Sequence, residues 1–224
     1  MKKLYTILYA VMLLCVVGSV VFLLLLPDRV PMHYNLAGEV DRMGSKYESA
    51  LWPLLSLGMG GVFLWMARRE RTRHEGSNKK VLLLVGICVL LFFTLLGFWT
   101  MWKAMAYEPE AAPQRFPEEL NRFVNVGLGA LLTVLGNFMP KARRNSLFGL
   151  RTGWSMTNDA VWQKSQRFGG ITLVVAGLAL MLLSLAVPGA WNILLLLLVL
   201  TLAAGLSVAA SYRYYRADRE GQDQ

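Results

Sequence analysis

The sequence predicts an all-α membrane protein with six transmembrane helices in a single domain over residues 1–224. Hydrophobic residues fill 55% of the 224 positions, only 17% are charged, and the mean hydropathy is +0.44. A soluble domain of this length is normally more polar. Six apolar runs have lengths suited to a hydrocarbon core about 30 Å thick. They cover residues 5–26, 50–67, 81–106, 122–139, 171–187 and 191–211.

Lys and Arg are distributed unevenly between these runs. With the N-terminus in the cytoplasm, most of the 23 basic residues fall in cytoplasmic segments, as the positive-inside rule requires. We therefore expect both termini in the cytoplasm, a basic cytoplasmic loop at 68–80 and an acidic extracellular loop at 107–121. The net charge of +9 then reflects topology, so we expect contact with membrane lipid and no direct binding of nucleic acid.

The loop between the first two runs, residues 27–49, is expected to form an ordered extracellular cap. Pro31, Gly38 and Gly44 are expected to mark turns. His33 could hold a metal ion or act as an acid or base, or it could make a structural hydrogen bond within the loop. The second interpretation is favoured, because the topology places no other histidine on this side of the membrane.

The fourth run carries small and polar residues at helical spacing. Asn125, Gly129, Thr133 and Gly136 lie on one helix face, which we expect to point into the bundle. Asn125 and Asn137 are the clearest intramembrane polar residues. Helix packing is the favoured role for Asn125, and a substrate site is the alternative.

Residues 140–170 form the most distinctive segment, a basic and aromatic cytoplasmic loop that includes a short helix. Thr157 or Asn158 can cap that helix, which either lies on the membrane surface or continues into the fifth span. One of its faces is mainly apolar or small, and the other is more polar. The first face holds Val161, Trp162, Ser165 and Gly169, and the second holds Gln163, Lys164, Gln166 and Arg167.

Two interpretations of this loop are open. It could be a packed interfacial loop, with Trp154 and Trp162 at the inner membrane interface and basic residues attracted to anionic lipid. Alternatively, it could be a functional surface in which Arg151 is a buried or half-buried donor that fixes the loop and any partner surface on it. A planar guanidinium with five donors suits that second role.

Two motifs resemble those of bacterial SdpI-like membrane proteins. The outer loop, VPMHYNLAGEVDRMGSK, is similar to a domain found in these proteins, and NSLFGLRTGWSMTNDAVW resembles the family signature. The outer-loop residues that match are Pro31, His33, Asn35, Gly38 and Lys46. The inner-loop residues that match are Asn145, Phe148, Gly149, Arg151, Thr152, Trp154, Asn158, Trp162, Gly169 and Gly170. The chain departs from the second pattern at Ser155, Thr157, Ser165 and Gln166.

The resemblance implies a multipass immunity protein in a bacterial cell membrane that protects the cell from a secreted antimicrobial peptide toxin. It also implies signalling through a small winged-helix repressor held at the membrane. A different hypothesis is a small-solute transporter built on two inverted three-helix halves. We expect no enzymatic activity, no cofactor and no metal site, because no nucleophile and base can be placed together.

Overall fold

The computed structural model describes residues 1–35, 39–70, 77–108, 116–188 and 191–221. Within these ranges, six helices are long and apolar enough to cross a membrane, which confirms the predicted fold class. The helices are α1 (Lys2–Leu25), α2 (Leu51–Arg69), α3 (Ser77–Met105), α4 (Phe116–Phe138), α5 (Asp159–Ala186) and α6 (Trp191–Glu220). Gly38, residues 71–76 of the basic loop and residues 109–115 of the acidic loop lie outside the described residues.

A two-stranded antiparallel hairpin joins α1 to α2. It consists of β1 (Arg29–Tyr34) and β2 (Val40–Ser45), with Arg29 opposite Ser45. The expected turns at Pro31 and Gly44 are wrong, since both residues lie inside strands. In a two-stranded hairpin every strand is an edge, so proline is tolerated there. The Ser45 side chain and Glu48 then form a capping box over a short 3-10 turn, Lys46–Ala50, which leads into α2.

The helices pack in two groups of three, α1 to α3 and α4 to α6, which meet mainly where α3 lies against α4. In the first group, α3 makes the more extensive contacts with both neighbours. In the second group, α5 has this role. Inverted repeats would place corresponding helices, α3 and α6, in equivalent positions. The packing order therefore lends no support to the inverted-repeat hypothesis.

Small residues allow α4 and α5 to approach closely. A Cβ atom on Gly129 would lie 2.6 Å from the carbonyl oxygen of Gly177, and one on Gly177 would lie 2.5 Å from the Thr133 hydroxyl. Gly136 and Gly170 meet in the same way about two turns further along each helix. The polar and glycine face of α4 thus points into the bundle, as its spacing predicts.

Candidate functional site

The site is built around residues 142–158, here called the connecting segment, which link a short 3-10 turn (Met139–Lys141) to α5. Asn158 ends the segment as the N-cap of α5, because its Oδ1 accepts a hydrogen bond from Val161 N at 2.8 Å. The same amide donates to Asp218 Oδ2 on α6 at 2.7 Å. The helix predicted near this position is therefore the first part of the fifth span, which begins at Asp159 rather than Ile171.

Asn145 organises the first turn of the segment. Its Oδ1 accepts hydrogen bonds from the backbone N–H groups of Leu147 and Phe148, both at 2.7 Å. Its Nδ2 donates to the carbonyl oxygens of Arg143 and Phe148, at 2.6 and 3.2 Å. A side-chain amide that replaces backbone partners in this way stabilises a turn.

Arg151 is exposed, so the expectation that it is buried or half-buried is wrong. Its guanidinium Nη1 donates to the carbonyl oxygen of Ser146. A long guanidinium side chain can reach across its own turn while its charge stays in water. Arg151 thus contributes one hydrogen bond within the loop and presents positive charge on the surface.

The centre of the segment is held by Gln166 of α5. Leu150 N donates to Gln166 Oε1 at 2.9 Å, and Gln166 Nε2 donates to Leu150 O at 2.8 Å. Gln166 is fully buried, although the sequence pattern grouped it with the polar face of its helix. The preceding Gly149 has φ +105°, and a Cβ atom there would collide with the Gln166 amide. Glycine is therefore required at this position.

A set of hydroxyl groups joins the segment to α5 and α6. Thr152 N donates to Ser155 Oγ at 2.9 Å, and Ser155 N donates to Thr152 Oγ1 at 3.0 Å. The Thr152 hydroxyl also lies 3.1 Å from Ser211 Oγ on α6, to which Ser165 Oγ donates at 3.2 Å. Ser155, at which the chain departs from the family pattern, thus forms hydrogen bonds within the turn through both its backbone N–H and its hydroxyl group.

The two tryptophans of the motif have different roles. Trp162 is only 1% exposed, and its Nε1 donates to Ala142 O at 2.8 Å. Trp162 therefore packs inside the protein rather than against lipid, because its helix face turns into the protein and its indole N–H finds a backbone partner there. Trp154 is half-buried against Tyr212 of α6, with 4.9 Å between ring centroids.

Asn78, near the start of α3, joins the connecting segment to the other helix group. Its Oδ1 accepts from Arg143 N at 2.9 Å, and its Nδ2 donates to Arg143 O at 3.4 Å and to Glu70 Oε1 at 3.0 Å. The side chain is 3% exposed. Sequence reasoning missed Asn78, since a polar residue beside a basic loop is ordinarily solvated. Through it, the segment contacts α3 as well as α5 and α6.

The exposed surface around the segment is mainly basic. The exposed cations are Lys141, Arg143, Arg144, Arg151, Lys164 and Arg167. Arg144 forms a salt bridge with Asp159 at 2.9 Å and donates to the carbonyl oxygens of Met156 and Thr157. The remaining charge makes this face suited to acidic partners or anionic surfaces.

The hairpin holds the predicted outer-loop residues in structural contacts. His33 Nδ1 lies 2.6 Å from Asp41 Oδ1, and Asn35 exchanges two hydrogen bonds with Glu39, both at 2.9 Å. Lys46 Nζ contacts Asp28 at 3.0 Å. Across the described ranges, no three His, Cys, Asp or Glu residues come together as a metal site would require. Within the hairpin, burial and the nearby Tyr107 raise the pKa of Tyr34 to about 12.

The two intramembrane asparagines lie in different surroundings. Asn125 is 2% exposed, and its Nδ2 donates to both the backbone oxygen and the side-chain Oδ1 of Asn192 on α6, each at 3.0 Å. Asn137 is exposed near the other end of α4. The structure does not bring them together, and the contacts of Asn125 are those of an interhelical packing residue.

Comparison with known proteins matches the region of the connecting segment and the region of the hairpin to two family models. Residues 141–211, which contain the connecting segment, all of α5 and most of α6, match the SdpI/YfhL protein family. Residues 10–57, which contain the hairpin, match a domain of unknown function, DUF1648. The chain is thus similar to the SdpI family over its connecting segment, α5 and most of α6. It is 26% identical over 198 residues to Immunity protein SdpI of Bacillus subtilis (strain 168), covering 88% of this chain and 89% of that relative.

No solved structure matches the chain. The SdpI-family similarity and the six membrane-spanning helices make this a multipass protein of the cell membrane. Within the matched region, the residues of the signature converge on one connecting segment, together with Gln166 and Ser211, which the signature itself does not contain.

Proposed function

We propose that this chain is a membrane immunity protein that protects its bacterium from a secreted, membrane-active peptide toxin. The observation that carries the proposal is the similarity to Immunity protein SdpI over 88% of the chain. The similarity thus extends beyond the connecting segment to nearly the whole helical bundle. A shared bundle is what a common mode of toxin binding within the membrane requires.

In this proposal the chain acts by binding the toxin and does not catalyse a reaction. The polar groups of the connecting segment are occupied by hydrogen bonds to one another and to three helices, an arrangement suited to holding a conformation. Because α3 belongs to one helix group and α5 and α6 to the other, a toxin that changes how the groups pack would also change the segment. Such coupling requires the toxin to bind one packing state more tightly than the other.

We further propose that the basic surface beside the segment binds an acidic face of a soluble winged-helix repressor. Lys164 and Arg167 support this proposal, because both are exposed on the outer face of α5. Reversing their charges, Lys164→Glu with Arg167→Glu, should release such a repressor from isolated membranes. Lys2→Glu with Lys3→Glu, which makes the same change of charge at two exposed positions in α1, is the control. Equal repressor binding by all three proteins would contradict this part of the proposal.

Toxin binding can be tested with the purified full chain in lipid nanodiscs. The probes are synthetic copies of any small secreted peptides that the neighbouring genes encode, added to loaded and to empty nanodiscs. We expect one peptide to bind loaded nanodiscs saturably and at least about tenfold more tightly than empty ones, a difference of about 1.4 kcal/mol. Equal binding of every peptide to loaded and empty nanodiscs would overturn the proposal.

A further inference from the structure

A groove runs between α3 and α4, where the two helix groups meet. Its volume is about 510 Å³. It is open along one side, toward the surroundings of the bundle. The residues of α3 that line it are Phe92, Leu95, Trp99, Trp102 and Lys103, and those of α4 are Glu119, Arg122, Phe123, Val126 and Gly127. Neither the hairpin nor the connecting segment contributes to it.

The groove is graded from polar to apolar along its length. Lys103, near the end of α3, forms a salt bridge with Glu119 of α4 at 2.5 Å. At the other end, Gly127 lies directly against the ring of Phe92. At 1.5 Å per residue, Phe92 and Lys103 are separated by about 16 Å along α3. This length is about half of a hydrocarbon core about 30 Å thick, so the groove has the depth of one membrane leaflet.

Aromatic rings form the part of the wall between the charged and apolar ends. Trp99 and Phe123 stack with 5.0 Å between centroids and 10° between ring planes. The Lys103 ammonium lies 5.8 Å from the centroid of Trp99 and 5.5 Å from that of Trp102. Tryptophan beside a snorkelling lysine is the usual composition of the membrane interface. The polar end of the groove therefore lies at headgroup level.

Arg122 adds a second positively charged side chain, besides Lys103, to the lining of the groove. Its Nε is buried and has no hydrogen-bond partner among the described residues. Glu119, one turn away on the same helix, is paired with Lys103. A guanidinium inside a membrane protein is costly unless an anion or hydrogen-bond acceptor pairs with it. Its planar fork is matched to the oxygens of a phosphate group.

We propose that the α3–α4 groove binds one phospholipid, with its phosphate at Arg122 and an acyl chain along the apolar part between Phe92 and Gly127. The lipid belongs to the leaflet on the hairpin side, toward which α3 ends. Anionic headgroups bind more tightly than zwitterionic ones, because a headgroup ammonium would add positive charge beside Arg122 and Lys103. The bound lipid fills the junction between the helix groups. This inference is independent of any toxin.

The test is native mass spectrometry of the full chain released from detergent after titration with dioleoylphosphatidylglycerol or dioleoylphosphatidylcholine. The wild-type protein should retain one molecule of the anionic lipid in preference to the zwitterionic lipid. Arg122→Gln should weaken retention of the anionic lipid by about tenfold or more, since charge-assisted hydrogen bonds are lost. Arg29→Gln, which removes the same charge at an exposed hairpin position, should retain lipid as the wild type does.

A second variant and a competing headgroup test the two parts of the site separately. Val126→Trp fills the apolar part and leaves Arg122 in place, so it should lower retention of both lipids even if Arg122→Gln fails to fold. Glycerophosphoglycerol, which has the headgroup without acyl chains, should not displace the bound lipid at equal concentration. Equal retention of lipid by wild type, Arg122→Gln and Val126→Trp would overturn the site. Displacement by the headgroup alone would overturn the acyl-chain part.

Discussion

Replacement of Gln166 by Leu should release the connecting segment from α5. Leucine approximates the volume of the buried glutamine but forms neither hydrogen bond to Leu150. The Leu150 N–H then loses its hydrogen-bond partner, at a cost of about 2 kcal/mol. Leu150 O loses one of its two hydrogen bonds, and this costs only about 1 kcal/mol because Ser155 Oγ still donates to it at 2.8 Å. The sum, about 3 kcal/mol, corresponds to an increase of about 100-fold in the open population of the segment.

Limited trypsin digestion in detergent measures this population, because cleavage of a rapidly opening segment follows the fraction that is open. The segment contains three cleavage sites, after Arg143, Arg144 and Arg151. Gln163→Leu is the matched control, since this glutamine lies on the same helix but is exposed. We expect cleavage about 100-fold faster in Gln166→Leu and little change in the control. Equal cleavage rates in the two variants would refute the role assigned to Gln166.

Three other substitutions test the packing of the site by thermal unfolding in detergent. Gly149→Ala should lower the free energy of unfolding by about 1–3 kcal/mol, because alanine is strained at φ +105°. In the control, Gly153→Ala, the added methyl group meets open space, so the free energy of unfolding should change by less than about 0.5 kcal/mol. Equal effects of the two substitutions would contradict this argument. Trp162→Phe keeps a buried ring but removes the indole hydrogen bond, so we expect a loss of about 1 kcal/mol, and no loss would show that this bond is not stabilising. Asn125→Leu breaks the contacts between α4 and α6 and should cost about 1 kcal/mol, whereas a more stable variant would favour a binding role over packing.

Local patterns were sufficient to predict the six spans, because hydropathy and length reflect the membrane directly. The N-cap at Asn158 was also predictable, since its partner is only three residues away. The extent of α5 was less predictable. The polar residues at its start left open whether they form a surface helix or the beginning of the fifth span, and the structure shows the second arrangement. The hairpin was missed because proline and glycine are typical of turns and are less common within strands.

Long-range contacts within the site could not be predicted from spacing. Gln166 lies 16 residues from Leu150, and Asn78 lies 65 residues from Arg143. Nothing near either residue in the sequence shows that its amide has a buried partner. Arg151 illustrates the opposite error, since its position within a conspicuous motif suggested burial although its side chain is exposed. The motif located the site, and the hydrogen bonds that build it are visible only in three dimensions.

The central claim, immunity to a peptide toxin, is tested most directly by survival. Toxin-sensitive bacteria that produce this chain, or carry an empty vector, would be challenged with any small secreted peptides that the neighbouring genes encode, with membrane levels of the protein measured in parallel. We predict that one peptide kills the vector-bearing cells at concentrations at least about tenfold below those that kill the producing cells, in line with the expected difference in binding. Identical killing curves for every peptide, with the protein present in the membrane, would contradict the account.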